Sequence, residues 1–288
     1  MHSNLVSAEG GEDAGSELLA DGLFPIELSG ARQFAVFSAE GREYRILVSV
    51  PDQEAPAAGY PVIYMLDGHA VFHTVREAAR AQSRRADKTG VRPSVIVGIG
   101  YPSGLPFSPE RRYDYTLPVA AENLPESRDG LPRPEHGGAD RFLRFIEDVL
   151  KPRIETMLPI DRSRQTLFGH SFGGLFTLHT LFTRPEAFRC YVAGSPSLHW
   201  GSPQIQEEEA AFAERLREGK RELNLLIALG ELESEAPFPM VRNARALYER
   251  LEPLREYGLN VRFRLFEGEN HGSTLPSLVS PMLRTAAL

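Results

Sequence analysis

Short apolar runs that lack polar alternation recur along the chain, and they constrain its fold more than any other feature. Tyr44–Val50 (YRILVSV), Val62–Leu66 and Ser94–Ile99 are such runs, the first closed by Pro51-Asp52 and the second by Asp67-Gly68. A strand with one wet face alternates apolar and polar residues, so an unbroken run predicts a strand covered on both faces. Asp140–Met157 has a different period, with Phe142, Phe145, Ile146, Val149, Leu150 and Ile154 on one side of a helix. The same rhythm continues to the C-terminus. Strands are expected at Gln165–Gly169, Arg189–Ala193, Glu222–Leu229 and Val261–Phe266, and helices at Phe172–Phe182, Ile205–Glu218, Met240–Tyr257 and Leu275–Ala287. Such regular alternation implies an α/β chain with a mostly parallel central sheet and helices on both faces.

No repeat or linker divides the chain, so residues 23–288 read as a single domain. A Gly-, Glu-, Ser- and Ala-rich arm over residues 1–22 precedes it and is expected to be flexible. Gly104–Gly138 is rich in Pro, Gly and charge, and loops of that length tend to be functional. The net charge of -7 and the scattering of basic residues among acids exclude a nucleic-acid binder. No apolar stretch is long enough to span a membrane. The first residues lack the basic and apolar regions of a signal peptide, so a cytoplasmic location is expected. The single cysteine, Cys190, sits in an apolar run and reads as a small buried hydrophobe.

Gly169-His170-Ser171-Phe172-Gly173-Gly174 is the strongest local signal. A strand-like run precedes it and an apolar helix follows it. In that setting Ser171 occupies a tight strand-to-helix turn, with flanking glycines because a Cβ would clash with neighbouring chain. The hydroxyl then stands above the sheet, and the helix N-terminus favours negative charge forming beside it. This is the nucleophile elbow of an α/β-hydrolase fold.

A serine hydroxyl needs a base, and in this fold the partners follow in the order Ser, acid, His. His271 lies in Glu269-Asn270-His271-Gly272, between the last strand and the last helix, where the base belongs. His199, just after a strand end, is the weaker alternative, and His179 lies within a helix and points away. The acid belongs after the penultimate strand, where Gly230-Glu231-Leu232-Glu233-Ser234-Glu235 offers three carboxylates. Glu233 has the favoured spacing, Glu231 and Glu235 compete, and a Ser-His dyad is the remaining alternative. Two backbone amides must receive the oxyanion: that of Phe172, and that of His69 in Leu66-Asp67-Gly68-His69, with Gly68 letting the chain turn and Asp67 bracing the loop. No cofactor or metal is implied. His69 and His73 lack the glutamate of H-E-x-x-H, and Gly98-x-Gly100 lacks the third glycine of a phosphate loop.

Several stretches together resemble the esterase family that includes the enterochelin (trilactone siderophore) esterases and, more distantly, esterase D and the mycolyltransferases. They are Tyr64–Gly68, Arg112–Thr116, Gly137–Leu143, Gly169–Gly174, Ser195–Ser197, Gly230–Glu233 and Glu269–Gly272, spread over roughly residues 44 to 280. The resemblance implies a serine esterase that cleaves trilactones or their linear products through an acyl-enzyme, with a small ester, free or as a ferric siderophore, as its partner. A general short-chain esterase or an acyltransferase shares that chemistry, and a binding protein on a hydrolase scaffold would have lost the nucleophile or base. Arg111 and Arg112 suit an anionic catecholate, and Trp200 suits an aromatic ring, against the plainer readings of a solvated charge pair and a core tryptophan. His199-Trp200 departs from the family's usual pair of aromatics, which leaves the substrate open.

Overall fold

The computed structural model describes residues 30–120, 135–234 and 239–288. The 1–22 arm, residues 121–134 of the proline-rich loop and Glu235 lie outside the described residues. The described strands form one sheet in the order β1-β2-β4-β3-β5-β6-β7-β8. They are β1 (Ala31–Phe37), β2 (Glu43–Ser49), β3 (Tyr60–Met65), β4 (Val95–Gly100), β5 (Ile160–His170), β6 (Cys190–Gly194), β7 (Leu223–Gly230) and β8 (Leu259–Phe266). From β4 to β8 every pairing is parallel, while β1 and β2 join antiparallel at one edge. The fold is the mostly parallel α/β sheet expected from the unbroken apolar runs. Strands β3, β4, β6 and β7 are buried along their whole length.

Helices cover both faces. They are α1 (Gly68–Ser83), α2 (Ala86–Thr89), α3 (Arg111–Tyr115), α4 (Ala139–Arg144), α5 (Lys151–Met157), α6 (Phe172–Thr183), α7 (Ser202–Glu218), α8 (Met240–Leu251) and α9 (Thr274–Ala286). A π-helical stretch, Phe145–Leu150, joins α4 to α5, so the helix expected over 140–157 is continuous but not α throughout. The helix expected over 240–257 ends at Leu251 and tightens to a 3-10 turn, Glu252–Tyr257, where Pro253 enters.

Successive strand residues face opposite sides. Ile63, Met65, Phe168 and Val192 pack under α1 and α9. Val62, Tyr64, Leu167 and Tyr191 pack with α4 to α8 on the other side. Each such side chain, fully buried, contributes about 1.5–3 kcal/mol. Cys190 is buried, as expected, with Sγ 3.4 Å from the Thr285 carbonyl. No helix among the described residues is long and apolar enough to cross a membrane.

Candidate active site

The carboxyl ends of β3, β5, β6, β7 and β8 converge at one edge of the sheet, where ligands bind in open α/β folds. Among the described residues the non-glycine residues with positive φ are Asp67 (51°), Ser171 (62°) and Ser195 (41°). They follow β3, β5 and β6 respectively. Such backbone costs on the order of 1–3 kcal/mol per residue and persists where its surroundings hold it.

Ser171 caps α6 with φ 62° and ψ -118°. A Cβ on Gly169 would lie 2.2 Å from the Gly173 carbonyl oxygen, and one on Gly174 would lie 2.6 Å from that of Gly194. At Gly173 it would meet only side-chain atoms, Leu66 at 3.3 Å and Asp67 Oδ2 at 3.7 Å. The elbow therefore requires glycine at 169 and 174, and less stringently at 173. The Ser171 hydroxyl is 3.4 Å from that of Ser197, a buried residue whose amide donates to the Ser171 carbonyl.

His271 Nδ1 donates to Glu233 Oε2 at 2.7 Å, which leaves Nε2 for the serine. Glu233 Oε1 receives the Ser195 hydroxyl at 2.7 Å and the Gly230 amide at 2.8 Å. Burial works to raise the Glu233 pKa, but donors from His271, Ser195 and Gly230 outweigh it and hold the carboxyl below its usual value. Glu231 is exposed and turned to the Gly268 amide. Among the described residues no hydrogen bond joins Ser171 to His271, a contact that often tightens only with substrate present.

His170, which the sequence reading passed over, packs against the His271 ring at a tilt of 43° with ring centroids 4.7 Å apart. Burial, with the nearby His271 adding to it, pushes its pKa down to about 3. It is a neutral wall for the His271 ring. His199 has its pKa lowered by burial and by His271. His179, on α6, is buried between Glu208, 2.8 Å from Nδ1, and Asp140, 3.3 Å from Nε2. Its role is structural, as its helix position implied.

Across the site, Asp67 rather than Gly68 takes the left-handed turn. Gly68 is needed for a different reason: its Cβ would lie 2.8 Å from the Gly98 backbone. The glycines of Gly98-x-Gly100 serve the same packing, since a Cβ on Gly100 would strike the His69 ring. The amides of His69, in the first turn of α1, and of Phe172, in the first turn of α6, have no intrahelical acceptor.

Arg111 and Arg112 fall on α3 and diverge. Arg111 makes a two-point pair with Asp67, Nε to Oδ1 at 2.7 Å and Nη2 to Oδ2 at 2.8 Å. Arg112 lies 5.7 Å from the ring centres of both Phe172 and Trp200. Trp200 stands edge-on to Phe172, is 7% exposed and donates Nε1 to the Leu117 carbonyl at 3.4 Å. Its ring is thus mostly core, with Arg112 over the side nearest the elbow. A cavity of about 670 Å³ lined by Gly59, Arg92, Arg164 and Leu288 lies at the amino ends of β3 and β5, far from Ser171. None of the described residues forms a His, Cys, Asp and Glu group suited to a metal.

A family model described as "Putative esterase" matches residues 38–274. The chain is 52% identical over 247 residues to the ferri-bacillibactin esterase BesA of Bacillus subtilis, covering 86% of each. It is 41% identical over 201 residues to the siderophore enterobactin esterase of Emericella nidulans, covering 65% of each. Its fold matches the crystal structure of the BES protein from Bacillus cereus with a TM-score of 0.87 at 45% identity, covering 92% of this chain and 99% of that one.

Proposed function

This chain belongs to that esterase family, and on this premise we propose that it opens the ester bonds of a siderophore through an acyl-enzyme on Ser171. The observation that carries the chemistry is the His271–Glu233 pair at the carboxyl edge of the sheet that also holds the strained Ser171 turn. His271 Nε2 takes the Ser171 proton as Oγ attacks the ester carbonyl carbon. The carbonyl oxygen becomes an oxyanion facing the Phe172 and His69 amides. His271 then gives its proton to the departing alkoxide, and a water repeats the sequence to release the acid. Glu233 holds the Nδ1 proton throughout and balances the imidazolium.

The substrate reading rests on the names of the relatives and on Arg112 and the half-buried Phe172 ring beside the nucleophile, which offer a guanidinium and an aromatic edge to a catecholate, with the buried Trp200 ring behind them. Iron-free and ferric trilactones both belong to it, and so do a cytoplasmic location and a single domain over residues 23–288. Wild type and Ser171→Ala are incubated with p-nitrophenyl acetate and with a trilactone siderophore, iron-free or ferric, and product masses are followed. Ser171-dependent opening of the trilactone is expected. Cleavage of the small ester alone removes the siderophore assignment, and no Ser171-dependent cleavage of either removes the esterase.

A further inference from the structure

Arg111 reaches three acceptor atoms on two residues from one guanidinium. It pairs at two points with Asp67, and its Nη2 also donates to the His170 carbonyl at 3.3 Å. Asp67 is two residues before the His69 amide, and His170 is two residues before the Phe172 amide. The two turns that carry the oxyanion donors come from strands β3 and β5, and this one side chain joins them.

The Asp67 turn needs holding. Its φ of 51° is unfavourable for a residue with a Cβ, and its side chain is 3% exposed. A buried carboxylate is tolerated only when paired and hydrogen-bonded. The Asp67 amide donates to the hydroxyl of Tyr115, which lies on α3 with Arg111 and is fully buried. Tyr115 packs against Tyr101, whose hydroxyl donates to Asp114 Oδ2 at 2.9 Å. Helix α3 therefore grips the turn through both its side chain and its backbone. A bidentate guanidinium also fixes the direction of its partner, which a lysine ammonium cannot do.

We infer that Arg111 is a positioning residue, which with Tyr115 locks the Asp67 turn to the elbow and so sets the spacing of the His69 and Phe172 amides. This rests on the serine-esterase reading above and departs from the substrate-contact role that the sequence suggests for Arg111. Three of its five N–H donors are already committed to Asp67 and His170, so only Nη1 is left for a catecholate. Arg112 is the arginine that remains for it.

The two roles separate in kinetics. For a positioning residue, Arg111→Gln lowers kcat on neutral p-nitrophenyl acetate by about 30- to 100-fold with KM changed less than about 3-fold, since removal of one oxyanion donor costs about 10²–10³. Tyr115→Phe, which keeps the ring and loses the acceptor of the Asp67 amide, lowers kcat by roughly 5- to 10-fold. For a substrate contact, Arg111→Gln leaves the acetate ester untouched and raises KM for the trilactone alone. Because Arg111→Gln strands a buried carboxylate, the double variant Asp67→Gly/Arg111→Leu is measured beside it. It removes both charges and gives the left-handed position a glycine. If it melts like wild type and keeps wild-type kcat, the clamp is unnecessary and the inference fails.

Inactivation by a p-nitrophenyl phosphonate, followed by the mass gained at Ser171, reads the donors without reference to any ester substrate. The clamp variants should be modified at least about 10-fold more slowly than wild type. Equal rates overturn the clamp while leaving the esterase intact. No adduct on wild type overturns the serine-hydrolase reading, and the clamp with it.

Discussion

Replacing Glu233 by glutamine tests the acid most directly. Oε1 of Glu233 accepts from the Ser195 hydroxyl and the Gly230 amide, so the glutamine oxygen must take that place. Its NH2 then faces His271 Nδ1, where Oε2 accepts a hydrogen bond at 2.7 Å in the native protein. Two donors cannot face each other. His271 must shift its proton to Nε2, the nitrogen that should take the proton from Ser171. Restoring the productive tautomer forfeits a hydrogen bond to a charged group, about 1.5–3 kcal/mol. The imidazolium formed during attack also loses its counter-charge, worth about 4 kcal/mol at a separation of about 4 Å and an effective dielectric constant of about 20. Because 44% of the His271 side chain is exposed, screening reduces that contribution to about 2 kcal/mol. The expected outcome is a fall in kcat of about 10³-fold, with an upper limit near the 10⁴-fold of a comparable acid-to-amide change. The assay is kcat and KM on p-nitrophenyl acetate, with thermal unfolding as the check on folding. Glu231→Gln, whose partner is the exposed Gly268 amide, should stay within about 2-fold of wild type. A folded Glu233→Gln that loses less than about 10-fold, or no more than Glu231→Gln, would refute the triad and leave a Ser-His dyad.

Three further outcomes follow from neighbouring contacts. Ser195→Ala removes a buried donor to Glu233 Oε1 and should cost about 1–2 kcal/mol of stability and about 5-fold in kcat; urea unfolding beside a rate assay checks it, and an unchanged rate would show that the carboxylate is held without Ser195. Gly169→Ala places a methyl 2.2 Å from a backbone oxygen that cannot move aside. It should cost at least about 3 kcal/mol and lower Tm by about 6–12 °C, and an unshifted calorimetric transition would contradict the packing argument. For His179, burial disfavours the charge, but Asp140 and Glu208 outweigh it and raise the pKa from 6.5 to about 9. A folded pKa above the unfolded one means that the stabilisation is full below about pH 6.5 and fades as pH rises through about 9. The size is on the order of 2–3 kcal/mol. Urea unfolding of wild type and His179→Gln at pH 6 and 9.5 should therefore converge at the higher pH, and a gap that widens with pH would be the wrong sign.

Much of the molecule was legible without coordinates because it depends on near neighbours in the chain. Strands β2 to β7 announced themselves as apolar runs, and the elbow as glycines around Ser171. Strand β1 escaped because it is a short edge strand whose apolar residues Phe34 to Phe37 show no period, Ala35 and Phe37 being exposed with Arg32 and Gln33. Helix α1 went unassigned as well, although its buried Val71, Phe72, Val75 and Ala79 have the spacing of one helical face. The long loop hid α3 because a short helix leaves too few turns for a period to show.

The sequence by itself determined the α/β class, the serine turn and the order in which its partners follow, for these need only local conformation and chain direction. That His271 faces Glu233 and not Glu231 took the tertiary structure, because Ser195, Gly230 and His271 reach Glu233 from three strand ends. The same holds for His170 as the wall behind the base and for Arg111 as the partner of Asp67. A strand-to-helix turn is written in consecutive residues. The direction of a charged side chain is set by whatever the sheet order brings beside it, and here that order brings β3, β5, β6, β7 and β8 to one edge.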